Sequence, residues 1–150
     1  KATVLDWAVG LENAKITLTQ EKDVANRIDL FEADFEKENL PQEKFDFMFL
    51  GNIIHGLNEA GNKALFKKIA DATVSNGVIA ILDQYANVKG SLFVKGVASM
   101  IGWNLFAFAG GRAYDFGVVK QWLEDAGFHS VTLTHLRQAP GFSFIKAQKK

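Results

Sequence analysis

Two continuous apolar runs, separated by a stretch with helical spacing, constrain this chain more than any other feature. The runs are FDFMFLG (Phe45–Gly51) and VIAILDQY (Val78–Tyr85). Apolar runs of this length without polar alternation suit strands of a sheet covered on both faces. Between them, Glu59–Thr73 places Leu65, Ile69 and Ala72 on one helical face, with Asn58 as its N-cap. Strand, helix and buried strand in that order make a crossover unit, and so a parallel pair.

The rest of the chain extends the scheme. ATVLD (Ala2–Asp6) reads as a short buried strand ending in an acid, and Ala8 to Gln20 has a helical pattern in Val9, Leu11, Ala14 and Leu18. RIDLFEADF alternates at Ile28, Leu30 and Glu32, which is strand periodicity, and a polar turn with Pro41 follows. Ser75–Gly77 is expected to stop the central helix. Ser91 is expected to cap a long aromatic-rich helix broken at Gly110-Gly111. Asp115 should cap Phe116–Ala126, with Gly127 in the C′ position. SVTLTHLRQ, a Pro140-Gly141 turn and FSFIKAQ read as a β-hairpin. The predicted order is β-α-β-β-α-β-α-α-β-β, an α/β domain with a mainly parallel sheet and a C-terminal antiparallel hairpin.

Composition narrows the function. The 150 residues suit one domain, and 48% apolar content can fill a core. Seventeen basic and 17 acidic side chains cancel, so no long-range field favours nucleic acid or anionic lipid. The absence of cysteine excludes a disulfide scaffold and a Cys-based zinc site. No H-E-x-x-H, P-loop or G-x-G-x-x-G segment occurs, and no metal is expected. Leu92–Ala109 is long enough to enter a bilayer, but Lys95, Ser99, Asn104 and two glycines interrupt it. It is read as a buried helix of a soluble protein, and a cytoplasmic location is the expectation.

Ligands of open parallel sheets bind beyond the carboxyl ends of the strands. Asp6, Asp34-Phe35, the Gly51–His55 segment and Asp83 fall at such ends. Asp6 could accept hydrogen bonds from a ribose diol, or cap the helix that follows. Asp34 could accept from an adenine amine while Phe35 packs on the ring; alternatively Phe35 is core and Asp34 a turn residue. An imidazole titrates near ~6.5, so His55 could act as a base, with Asp83 fixing its tautomer; alternatively it is a structural loop residue. His129 and His135, by the final hairpin, are read as structural. Phe93, Met100, Trp103, Phe106 and Phe108 on the long helix could wall a planar substrate or simply pack in the core.

Taken in register, these stretches resemble the C-terminal catalytic domain of class I S-adenosylmethionine-dependent O-methyltransferases of the small-molecule, plant-phenolic-like type. ATVLDWAVGLENAK is similar to the family's x-V-x-D-L-P-x-V-x-x-x-A stretch. RIDLFEADF through NIIHGLNEA is similar to its R-V-x-x-x-x-G-D-F and L-H-D-W-x-D-E stretches, and NGVIAILDQY and GGRAYDFGVVKQWLEDAGF follow in order. The resemblance implies a Rossmann-like methyltransferase fold. It implies S-adenosylmethionine as cofactor, held by Asp6, Asp34, Phe35 and Gly51. His55 falls on the catalytic base and Asp83 on its acidic partner, and the 92–114 insertion would lie on the substrate side with Met100, Trp103, Phe106 and Phe108. The implied reaction is methyl transfer to a hydroxyl of a small, aromatic molecule, with no nucleic-acid or membrane partner and a homodimer for the full-length protein.

The sequence also departs from the family. His55-Gly56-Leu57 replaces the usual H-D-W, Gly51 replaces a polar or basic side chain, and Ala113 stands where a second histidine-orienting glutamate is usual. The family's first strand and glycine-rich loop have no counterpart here, so the domain is expected to be N-terminally incomplete, with a gap in its sheet. These losses motivate an alternative, a non-catalytic assembly or regulatory protein. A nicotinamide-dependent oxidoreductase is a further alternative, since it too uses an acid after the second strand.

Overall fold

The computed structural model describes residues 1–41, 44–86, 91–109, 111–136, 138–139 and 141–150, without the side chains of 94, 98, 101, 108 and 109. The expected roles of Gly110, Pro140 and the Phe108 side chain therefore lie outside the described residues. The elements are β1 (Ala2–Asp6), α1 (Ala8–Gln20), α2 (Lys22–Ala25), β2 (Ile28–Glu32), β3 (Phe45–Gly51), a 3-10 turn (Ile54–Gly56), α3 (Glu59–Ala72), β4 (Thr73–Ala86), α4 (Leu92–Ala109), β5 (Tyr114–Asp115), α5 (Phe116–Asp125), β6 (Phe128–His135) and β7 (Phe142–Lys149).

The chain forms two compact units, Lys1–Gln42 and Glu43–Lys150, where the sequence suggested one domain. Strand pairing gives the physical reason. Among the described residues β1 pairs only with β2, and β3 pairs only with β4, so two separate sheets form.

In the first unit β1 and β2 run parallel, with Ala2 opposite Ile28 and Asp6 opposite Glu32. Helix α1 crosses between them and buries Leu11. In the second unit the strand order is β3-β4-β7-β6, with the two-residue β5 beside β4. Strand β4 is parallel to β3 and β5 and antiparallel to β7, and β7 is antiparallel to β6. The C-terminal hairpin is therefore observed. Its second strand inserts next to β4, so the five-stranded sheet is mixed rather than mainly parallel.

Residues two apart on β4 share one face. Ile79, Ile81, Asp83 and Tyr85 are all buried; the first three lie opposite Ala147, Ile145 and Ser143 of β7 and Tyr85 lies opposite Tyr114 of β5. Helices α3 and α5 contribute Phe66, Ile69, Val119 and Leu123 to the same core, each side chain contributing about 1.5–3 kcal/mol through burial. The opposite face differs from expectation. Phe47 and Phe49 remain 55% and 54% exposed, and Phe49 stacks on Phe144 at 6.3 Å. An unbroken apolar run cannot distinguish a covered face from an open one, and here the second face is open at Phe47 and Phe49, although Ala80 beside them is buried.

Other boundaries follow the sequence closely. Asn58 caps α3 by accepting from the Gly61 N–H at 2.9 Å, and Asp115 caps α5 through the Gly117 N–H at 2.8 Å. Gly127 has φ 94°, as a C′ glycine requires. Ser75–Gly77 is not a turn after the helix. It forms an irregularity inside β4, where Phe45 pairs with Thr73 but Phe47 pairs with Val78. Asn76 takes φ 64° there. A Cβ on Gly77 would stand 2.6 Å from Thr73 Cγ2 and 2.9 Å from the Val74 carbonyl oxygen.

Candidate active site

The carboxyl-side ends of β3 and β4 bring His55 and Asp83 together. Gly51, the last residue of β3, lies opposite Leu82, so Asp83 is the first β4 residue beyond the end of β3. The chain turns at Asn52, whose φ is 57° and whose N–H donates to the Leu82 carbonyl at 2.9 Å. The 3-10 turn then carries His55 back over β4. Its Nδ1 lies 2.7 Å from Asp83 Oδ1.

Asp83 is fully buried, and a buried carboxylate requires hydrogen-bond donors. It has three. Besides the imidazole, the Ile54 N–H donates to Oδ2 at 3.0 Å and the Gln84 N–H to Oδ1 at 2.7 Å. A carboxylate can only accept, so toward Asp83 the His55 Nδ1 is the donor, and a neutral ring in that tautomer has its lone pair on Nε2. The His55 side chain is 16% exposed.

Polar groups hold the turn from beneath. The buried Asn62 side chain donates to the carbonyls of Ile54 at 3.0 Å and Leu57 at 3.3 Å. The Tyr114 hydroxyl donates to the Leu57 carbonyl at 2.6 Å, and its ring meets Trp122 edge-on at 4.9 Å. Leu57 itself is buried, so the position of the family's indole is part of the core here. Tyr85, two residues beyond Asp83, is 1% exposed, and its hydroxyl has no hydrogen-bond partner among the described residues. Burial, then the neighbouring Asp83 carboxylate, push its phenol well above the ordinary tyrosine range. Sequence reasoning did not single out Asn62, Tyr114 or Tyr85.

The nucleoside-binding candidates belong to the other unit. Asp6 ends β1 and Asp34-Phe35 follows the end of β2, so the parallel pair brings them to one carboxyl rim. The Ala33 N–H donates to the Asp6 carbonyl at 3.2 Å, joining the two ends. The Asp6 carboxylate is exposed. Its Oδ1 accepts from the Trp7 N–H at 2.7 Å, and the group fills space that a side chain on Gly10 would occupy. Asp34 also has local partners: the Glu36 N–H at 3.1 Å and Lys37 Nζ at 2.8 Å. The Lys37 ammonium holds the Asp34 carboxyl below its ordinary value. Phe35 is half-buried. Glycine at position 51 makes room for the Phe49 ring, 3.1 Å from where its Cβ would be.

Helix α4 packs against β4 and the 3-10 turn. It is not the buried helix expected from its composition. Leu92, Phe93, Met100, Trp103 and Phe106 are 89%, 71%, 61%, 73% and 67% exposed. Trp103 and Phe106 meet edge to face at 6.4 Å. No described helix is long and apolar enough to cross a membrane. His129 and His135 bond to Ser130 and Ser143 at 2.9 and 2.8 Å, so both are tied into the hairpin. Among the described residues no group of three or more His, Cys, Asp or Glu side chains could hold a metal.

The fold is that of a Rossmann-like methyltransferase domain. The O-methyltransferase domain family model matches residues 1–129, and the chain belongs to that family. It is 28% identical over 127 residues to 3-hydroxy-5-methyl-1-naphthoate 3-O-methyltransferase of Streptomyces sahachiroi, covering 85% of this chain and 36% of that protein. Among solved structures it resembles the mitomycin 7-O-methyltransferase MmcR, with TM-score 0.83, 16% identity and coverage of 99% of this chain and 41% of that one. It also resembles human N-acetylserotonin methyltransferase in complex with SAM, with TM-score 0.74, 21% identity and coverage of 98% and 40%. The chain thus spans well under half the length of these relatives.

Proposed function

We propose that this chain is the catalytic part of an S-adenosylmethionine-dependent O-methyltransferase acting on a hydroxyl of a small aromatic molecule. The observation that carries the reading is the 2.7 Å contact between His55 Nδ1 and the fully buried Asp83. Asp83 and His55 form a base whose free nitrogen, Nε2, takes the proton of the acceptor hydroxyl. Deprotonation makes the oxygen the stronger nucleophile. Asp83 offsets the positive charge that then develops on the ring.

The residues present suit the cofactor. The exposed Asp6 carboxylate at the tip of β1 retains Oδ2 for a ribose diol, and Asp34 and Phe35 at the same rim offer an acceptor and an aromatic face for an adenine. When bound, S-adenosylmethionine supplies an electrophilic methyl group. Gly51, at the end of β3, is the remaining cofactor-side residue that family resemblance suggests. Met100, Trp103 and Phe106 on the 92–114 segment form an apolar surface suited to a planar acceptor; Phe108 shares that segment. Family membership favours this reading over nicotinamide chemistry. Homodimerisation and a cytoplasmic location belong to the same reading, as does the absence of nucleic-acid or membrane partners, which the balanced charge supports.

The test is His55→Ala, assayed for methyl transfer across a panel of hydroxylated aromatic acids and phenols. Loss of a general base should lower turnover by about 10²–10⁴-fold. A variant with the full wild-type rate would remove His55 from the mechanism.

A further inference from the structure

We propose that Gly111 and Arg112 form a backbone clamp that sets the position of His55, making Gly111 a positioning residue for proton abstraction. The inference rests on the reading of His55 as the base. The segment 111–114 lies along the 3-10 turn and grips it at two points. The Arg112 N–H donates to the His55 carbonyl at 2.8 Å, and the Tyr114 hydroxyl donates to the Leu57 carbonyl at 2.6 Å. The donors are two residues apart, and so are the acceptors. Such a repeated step fixes the orientation of the turn as well as its distance.

Gly111 permits this approach. A Cβ there would overlap the His55 carbonyl oxygen and stand 3.1 Å from its carbonyl carbon and 3.4 Å from Gly56 Cα. Any side chain would therefore push the 111–112 backbone away from the turn. The Gly111 N–H donates to the Leu105 carbonyl at 3.1 Å, so the clamp is anchored to the helix that carries Trp103 and Phe106. Arg112 is steadied by its own guanidinium, 5.8 Å over the Tyr114 ring. His55 is thus held from two sides, by Asp83 at its ring and by Arg112 at its carbonyl. Ala113 offers no carboxylate, so backbone contacts supply this restraint.

Gly111→Ala tests the clamp. A misplacement of about 1 Å at a reacting group costs on the order of 10²-fold in rate. The expected result is that kcat falls by about that factor, while the KM for S-adenosylmethionine is unchanged. The second readout is the His55 Nδ1 proton resonance in ¹⁵N-labelled protein. It should lie far downfield in the wild type and move or broaden in Gly111→Ala. Gly102→Ala is the control, since a Cβ there meets only the Ala113 Cβ at 4.0 Å, and it should leave the resonance in place. A folded Gly111→Ala protein with an unmoved resonance overturns the clamp. If Gly111→Ala does not fold, amide exchange of the wild type decides: a slow Arg112 N–H supports the bond to His55, and exchange at the rate of open coil overturns it. A moved resonance in Gly111→Ala, alongside full activity in His55→Ala, would sink the base assignment and leave the clamp standing.

Discussion

Asp83→Asn perturbs the site with the smallest change in shape. The carboxylate accepts from three donors: His55 Nδ1–H at 2.7 Å and Gln84 N–H at 2.7 Å on Oδ1, and Ile54 N–H at 3.0 Å on Oδ2. An amide offers one acceptor oxygen and one group that can only donate. With the oxygen kept toward His55 and Gln84, the amide NH₂ faces the Ile54 N–H, and that donor is stranded. With the amide flipped, Ile54 stays paired but the Gln84 N–H is stranded. The imidazole must then accept at Nδ1, which puts its proton on Nε2, the atom that has to receive one. Each stranded buried donor costs about 1–3 kcal/mol. Urea unfolding followed by tryptophan fluorescence should show a loss of that size, since Trp122 is only 4% exposed and reports on the second unit. Methyl transfer should fall by about 10²–10⁴-fold, the range for loss of a positioned base. A variant that unfolds at the wild-type midpoint and turns over at the wild-type rate would refute the argument.

Two further predictions concern stability. Tyr85→Phe removes a buried hydroxyl without a partner among the described residues, so stability should hold or rise, by up to about 1–3 kcal/mol; destabilisation would mean that the hydroxyl has a partner. Its raised phenol also sets a pH dependence: the folded state keeps the proton where an unfolded tyrosine loses it near ~10, so this contribution is complete below that pH and is lost above it. Thermal melts from pH 8 to 11 should show a shallower alkaline decline for Tyr85→Phe than for the wild type. Gly77→Ala places a methyl 2.6 Å from Thr73 Cγ2 and 2.9 Å from the Val74 carbonyl, and overpacking of this kind should cost about 1–3 kcal/mol in the same unfolding assay.

The helices and strands were legible wherever local chemistry sets them. Asn58 and Asp115 name the starts of α3 and α5, and Gly127 names the end of α5. What failed depended on neighbours distant in sequence. Ser75–Gly77 has turn composition, yet it is an irregularity within a strand because β3 pairs on both sides of it. The apolar surface of α4 predicted burial, but a helix can be apolar all round and still leave Trp103 and Phe106 exposed. The division into two units depends on which strands pair, and periodicity does not encode pairing.

The site follows the same division. His55 and Asp83 could be proposed from sequence because residue type carries their chemistry and strand ends carry their position. The groups that hold them are mostly main-chain donors: Ile54 and Gln84 toward Asp83, and Arg112 toward the His55 carbonyl. Nearly any residue supplies a backbone N–H, so sequence leaves no mark at those positions. A mark appears only where a neighbouring group comes too close for a Cβ. Gly111 against His55 is such a place in the second unit, and Gly10 against the Asp6 carboxylate is another in the first. Both glycines sit beside a residue assigned a chemical role. In this chain the precision of the site is therefore written in what its glycines omit, and substitution at Gly10 or Gly111 should perturb function more than their lack of side-chain chemistry would suggest.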